Sequence, residues 1–234
     1  MVATGRSIDV ELARAQHAQY VSALAGAGVE VIQMPTLDEF ADACFVEDCA
    51  ILAQADALIT NPGTPSRVGE ETTVAELLSR THRIHRTGPP ATIEGGDCMR
   101  VGTTWFVGRS TRTNEAGVRR IHDVFSPLGF RVIEVPVVGF LHLKCFCSPI
   151  DDRTILVAED TVDLRHFDGF ELVRVPRAEA YAANAVFVNN TAIIAGGYPT
   201  TRAAVERLGL RVVELELSEI EKADGSLTCL SLLL

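Results

Sequence analysis

One recurring order constrains this chain more than any other feature: strand, strand, arginine-bearing loop, helix, strand. Arg67 closes the loop Asn61-Pro62-Gly63-Thr64-Pro65-Ser66-Arg67, and Arg112 sits 45 residues later in Gly108-Arg109-Ser110-Thr111-Arg112. Arg202 lies 135 residues beyond Arg67, three such periods. A fixed spacing of this size signals stacked or radial units, each too small to bury its own apolar face without neighbours. The first unit reads as strands near 44–52 and 57–60, a helix over 69–79 and a strand at 82–85. The second has strands at 98–101 and 104–107, a helix over 115–126 and a strand at 131–135. The third starts at 141–147, continues at 154–158, has at most a short helix and closes at 171–175. It lacks the arginine. The fourth has strands at 185–188 and 191–195, a helix over 203–208 and a strand at 211–215.

The two ends of the chain supply the remainder of a fifth unit. Residues 8–26 carry apolar positions at helical spacing, with Ser7 as a candidate cap and Gly26 and Gly28 beyond the end. A short strand follows at 29–33, and another is expected at 227–233. One strand of the set is missing, and it would precede Ile8. A ring closed by both ends places Cys229 near the axis. The whole of 1–234 reads as one domain.

Composition narrows the function. The net charge of −10 argues against nucleic acid, which needs clustered Lys and Arg, and suits a cationic ligand. No apolar run reaches the ~18 residues of a membrane span, and residues 1–16 have no signal-peptide core. A cytoplasmic protein is expected, monomeric or homodimeric, with free thiols. The six cysteines show no Cys-x-x-Cys pair, so no structural zinc is expected.

Two local features point to chemistry. Glu47 and Asp48 interrupt an apolar strand side by side. Neighbours on a strand face opposite ways, so one carboxylate would face an interior, which is costly without a partner. Cys229 follows an acidic turn at the head of an apolar tail. Taken singly, Cys229 reads as a core thiol, His142 as a satisfied core histidine, and Arg67 and Arg112 as surface or capping groups.

Together, the segments CFVEDCA, NPGTPSR, EGGD, FVGRSTRTNEAG, LHLKCFCS, AANAVFVN and EKADGSLTC occur in this order between residues 44 and 229, within a resemblance that runs from about residue 8 to the end. They resemble the dimethylarginine dimethylaminohydrolases of the guanidine-modifying superfamily. The resemblance implies an α/β fold, the pentein-type five-bladed propeller of ββαβ repeats, its fifth blade closed by both termini and lacking its N-terminal strand. It implies Cys229 as nucleophile, His142 as general acid and base, and Glu94 as the carboxylate that orients the histidine. Asp48 would hold the substrate guanidinium, with Glu47 and Asp42 in the same region. Arg67 and Arg112 would lie near the substrate carboxylate. Ala223, through its carbonyl, and Asp224 would line the approach to the nucleophile. The implied partner is a small methylated arginine, with no metal and no organic cofactor. The alternatives are an arginine or agmatine deiminase and a non-catalytic binding propeller. The chemistry agrees with the resemblance. A guanidinium is a poor electrophile that carboxylates can hold in bidentate geometry, and a thiolate is a suitable nucleophile whose pKa a nearby cation lowers.

Overall fold

The computed structural model describes residues 7–234. Helix α1 spans Val10–Gly26. Its cap is Asp9, not Ser7: Asp9 Oδ1 accepts the Leu12 N–H at 3.1 Å, which satisfies one of the open donors of the first turn. The first unit follows with β1 (Ala50–Ala53), β2 (Asp56–Ile59), α2 (Glu71–Leu78) and β3 (Arg83–Arg86). The second is β4 (Cys98–Val101), β5 (Thr104–Arg109), α3 (Glu115–Phe125) and β6 (Arg131–Pro136). The third, β7 (Cys147–Pro149), β8 (Thr154–Ala158) and β9 (Glu171–Val175), has only a 3-10 turn, Leu164–Phe167, where the others have a helix. The fourth is β10 (Val186–Val188), β11 (Thr191–Ala195), α4 (Pro199–Glu206) and β12 (Arg211–Leu215), and α5 (Ser218–Lys222) comes after it. Helix α4 begins four residues before the expected start. Pro199 occupies its first turn, where the missing N–H costs nothing.

Each unit folds as its order predicts. The first strand pairs antiparallel with the second, and the second pairs parallel with the third across the helical connection. Four three-stranded sheets result. Their central strands are buried on both faces, as in Thr154–Ala158 and Thr191–Ala195, and apolar clusters fill the spaces between neighbouring units.

The fifth unit differs from the sequence reading. Among the described residues it has no sheet. Residues 29–33 belong to no helix or strand, and 227–233 is not a strand: a 3-10 turn, Thr228–Leu230, leads into a tail outside any sheet. A strand is defined by its neighbour's hydrogen bonds, and among the described residues no central strand lies between these segments. Helix α1 fills the unit by packing on α5 and β12.

The entry to each unit is a second difference. The expected strands around Glu47, Asp48 and His142 are 3-10 turns or their caps. The turns are Val46–Cys49, Gly95–Asp97, Leu143–Cys145, Arg177–Ala183 and Thr228–Leu230, the first four each ahead of the first strand of a sheet and the last ahead of the C-terminal tail. A 3-10 turn advances about 120° per residue, so adjacent side chains such as Glu47 and Asp48 can take different buried partners. A strand would have sent them to opposite faces.

Candidate active site

The five turns pack against one another, and the chemistry-bearing residues lie on them. Asp48 is on the first turn and is buried. Its Oδ1 accepts the Gly96 N–H at 2.8 Å, and its Oδ2 accepts from Arg67 at 2.6 Å. Arg67, 5 % exposed, also donates Nε to Glu70 at 2.8 Å and its second terminal nitrogen to the carbonyl oxygens of Phe45 and Asp42. All of its nitrogens are committed to the chain, so it fixes Asp48 in place. Burial raises the Asp48 carboxyl, but His142 and Arg67 outweigh it and hold the group below its usual range.

Glu94 caps the second turn and is fully buried. Its Oε1 accepts the Gly63 N–H at 2.9 Å and Arg112 at 3.2 Å, and its Oε2 meets His142 Nε2 at 2.7 Å. Burial opposes ionisation, but His142 and then Arg112 keep the carboxyl low. Two glycines let the turns approach. A Cβ on Gly95 would come within 1.9 Å of the Glu47 carbonyl, and one on Gly96 within 2.5 Å of His142 Nδ1. The Gly-Gly of the EGGD segment therefore makes room for the histidine and the neighbouring turn.

His142 precedes the third turn and is 4 % exposed. Burial would lower its pKa, yet Asp48, the Glu94 hydrogen bond and Asp97 raise it to about 9. At neutral pH it is an imidazolium, able to give a proton. Asp48, Glu94 and His142 bring ligand-type atoms within 4.8 Å of one another, the spacing of a metal site. A doubly protonated imidazole has no lone pair to offer an ion, which leaves Asp48 and Glu94 as the acceptors of the trio.

Cys229 lies in the fifth turn, half-buried and free, and that turn packs on the Glu47–Asp48 turn. Burial, then the Glu47 and Asp48 carboxylates, push its thiol well above the ordinary range. Ala223 ends α5, and Asp224 turns the chain with φ of +59°, a conformation that Asp tolerates. Asp42 is half-buried, and its carbonyl accepts from Arg67. Glu47 is placed differently from the other carboxylates. Its two oxygens take Lys144 Nζ and, at 2.8 Å, Thr228 Oγ1. Arg112 is 15 % exposed at its side chain. Arg202, on the same period, faces outward to Glu206 and Glu214.

Sequence reasoning gave no role to Asp97, Lys144, Asn184 or Thr228. Asp97 accepts Ser110 Oγ at 2.6 Å and the Leu143 N–H at 3.0 Å. Asn184 Oδ1 accepts the Thr228 N–H at 3.0 Å, and its Nδ2 donates to the Lys144 carbonyl at 2.8 Å and to Thr228 Oγ1 at 3.0 Å. With Asp48–Gly96 and Thr228–Glu47, these bonds link the five turns in a closed ring. Each of the four residues stood inside a motif that the sequence singled out. A polar residue just before an apolar strand was the available signal.

A neutral thiol set among carboxylates gains little reactivity from its own surroundings. It needs a substrate that brings positive charge to it. That requirement, on an axis built from ββαβ units, defines the class: cysteine-dependent enzymes of guanidinium compounds with the pentein fold. Comparison with known proteins agrees. A family model described as "N,N dimethylarginine dimethylhydrolase, eukaryotic" matches residues 2–232. The N(G),N(G)-dimethylarginine dimethylaminohydrolase of Pseudomonas aeruginosa is 36% identical over 226 residues, 96% of this chain and 89% of the relative. The enzyme of that name from Streptomyces coelicolor is 35% identical over 96% of this chain and 86% of its own. A crystal structure of the Pseudomonas protein, a cysteine-to-serine mutant complexed with citrulline, superposes with a TM-score of 0.93 over 97% of this chain and 89% of that one. The N-terminal domain of a cyanobacterial arginine dihydrolase shares the fold, with a TM-score of 0.88 at 19% identity over 96% of this chain and 86% of that one. The chain belongs to the dimethylarginine dimethylaminohydrolase family.

Proposed function

We propose that this protein hydrolyses Nω-methylated arginines to citrulline and methylamine or dimethylamine through a covalent adduct on Cys229. The observation that carries the reading is the buried trio of Asp48, Glu94 and a protonated His142, gathered within 4.8 Å beside the turn of the nucleophile. The substrate guanidinium lies against Asp48, whose orientation Arg67 holds. Its positive charge offsets the Glu47 and Asp48 fields that keep the thiol protonated, and Cys229 loses its proton to solvent as the substrate binds. The thiolate attacks the guanidinium carbon. His142 gives its proton to the departing amine, and an S-alkylthiouronium remains. The neutral imidazole then takes a proton from water, which attacks the same carbon. The C–S bond breaks, citrulline leaves and the thiol is restored. Glu94 keeps the imidazole oriented through both steps.

Arg112, partly open beside Glu94, is the better placed of the two predicted arginines to meet the substrate carboxylate. Asp42, the Ala223 carbonyl and Asp224 supply polar contacts at the approach to Cys229. Glu47 serves through Lys144 and Thr228. Six unpaired thiols suit a reducing compartment, in keeping with a cytoplasmic enzyme of a free small molecule. No helix among the described residues is long and apolar enough to cross a membrane.

The test is incubation with monomethylarginine, asymmetric dimethylarginine, arginine and agmatine, scoring citrulline or the matching ureido product and released amine. Turnover of a methylated arginine, abolished in Cys229→Ser, is expected. Turnover of arginine or agmatine alone would move the protein to the deiminases, and a fully active Cys229→Ser would exclude covalent catalysis.

A further inference from the structure

The fourth unit brings no charged group to the site. Its contribution is Asn184, the residue that ends the turn Arg177–Ala183. It is 2 % exposed, and an amide buried this deeply is costly unless each of its groups finds a partner. Asn184 spends all of them on two other units. Its carbonyl oxygen accepts the N–H of Thr228, the residue bonded to Cys229. Its amino group donates to Thr228 Oγ1 and to the carbonyl of Lys144, two residues past His142. A carboxamide meets this demand with separate atoms, accepting the N–H on its oxygen while its nitrogen donates two hydrogen bonds. Asn184 is itself clamped: Ser148 Oγ donates to the Ala183 carbonyl at 2.8 Å and accepts the Ala185 N–H at 2.9 Å, holding the chain on either side.

We propose that Asn184 is the positioning residue of the nucleophile, setting the turn of Cys229 against the turn of His142 so that attack and proton delivery fall on the same guanidinium. The inference rests on the catalytic reading of Cys229 and adds to it the device that fixes the spacing of the two reacting groups. None of the hydrogen bonds of Asn184 goes to the Cys229 sulfur. A purely structural staple would be expected to lower stability and leave the rate of the folded enzyme alone. A positioning residue acts on rate, because a displacement of about 1 Å at the reacting groups can cost on the order of 100-fold.

The experiment measures single-turnover formation of the thiouronium on the Cys229 peptide by mass, with steady-state kcat and KM, in wild type, Asn184→Ala and Asn184→Asp. Thermal unfolding sets a working temperature at which each variant is folded. The aspartate variant keeps an acceptor for the Thr228 N–H but turns an oxygen toward the Lys144 carbonyl, and it stands in if the alanine variant does not fold. Adduct formation and kcat are expected to fall about 100-fold in Asn184→Ala and about tenfold or more in Asn184→Asp, with KM within about twofold. Folded variants that form the adduct at the wild-type rate overturn the inference while the catalytic reading stands. A wild type that turns over none of the methylated arginines overturns the catalytic reading, and the inference with it.

Discussion

At the scale of single residues, the site separates charge from reactivity. Asp48, Glu94 and His142 carry charge at rest, and the Cys229 thiol beside them is neutral. The sequence made this legible in part. Glu94, His142 and Cys229 were recognisable because each sits in a distinctive motif. Arg67 was recognisable as a residue of interest, but its partners were not, because its grip on Asp48 depends on a fold that brings residue 67 back to residue 48. The His142–Glu94 pair yields a signed prediction. The folded-state pKa of His142 is raised to about 9, so its stabilising contribution is complete below the unfolded value near 6.5 and is lost as pH rises through about 9. Asp48 and Glu94 have lowered values, and their contributions are lost as pH falls through the acid range. Glu94→Gln removes one carboxylate from His142 and should lower its titration midpoint by about 1–3 units. NMR titration of the imidazole signal that disappears in His142→Asn checks this. The same variant should flatten the loss of thermal stability between about pH 6.5 and 9. A wild-type midpoint near the free-histidine value would contradict the assigned role.

At the scale of elements, the five 3-10 turns are the part of the structure that periodicity could not show. The strands and helices follow from apolar spacing and from Pro and Gly punctuation, whereas a turn of three to seven residues leaves no period to read. What the turns do is also non-local: Asp97, Asn184 and Thr228 are intelligible only once their partners in the next unit are known. The Glu47–Lys144 pair is one such link, with side chains 10% and 11% exposed. A buried ion pair adds little over an apolar pair of equal size, but removing one partner strands a charge in the interior. Lys144→Met should therefore cost about 3–5 kcal/mol of unfolding free energy. The double variant Glu47→Leu, Lys144→Met should cost less than Lys144→Met alone, since it leaves no lone carboxylate behind. Urea unfolding of wild type, Lys144→Met, Glu47→Leu and the double variant decides the matter. A double variant as unstable as the sum of its parts would mean that the turns depend on the charges themselves.

At the scale of the whole molecule, the 45-residue period gave the correct count of units and the correct strand order within four of them, because each unit repeats the same burial problem. The fifth was foreseen as incomplete and is more so than expected, since neither of its two segments is in a sheet. Among the described residues, the backbone N–H groups of residues 30–34 and 232–234 have no hydrogen-bond partner. Ile32, Leu233 and Leu234 are exposed there at 60%, 49% and 77%. Central strands such as β8 and β11, by contrast, are bonded on both edges and covered on both faces. Amide exchange reads this difference directly, since protection tracks hydrogen bonding and the cooperative opening of the unit that contains it. Residues 30–34 and 232–234 should exchange at rates near those of an unfolded chain. The amides of β8 and β11 should exchange only through global opening. The Thr228–Leu230 turn lies between these limits. It is anchored to Asn184 and Glu47 on one side and continues into the unpaired tail on the other. Its amides should be protected in wild type and lose protection in Asn184→Ala, while those of β8 and β11 keep theirs. Uniform loss of protection across all units in that variant would show that the ring of turns holds the whole propeller together and does not act only at the nucleophile.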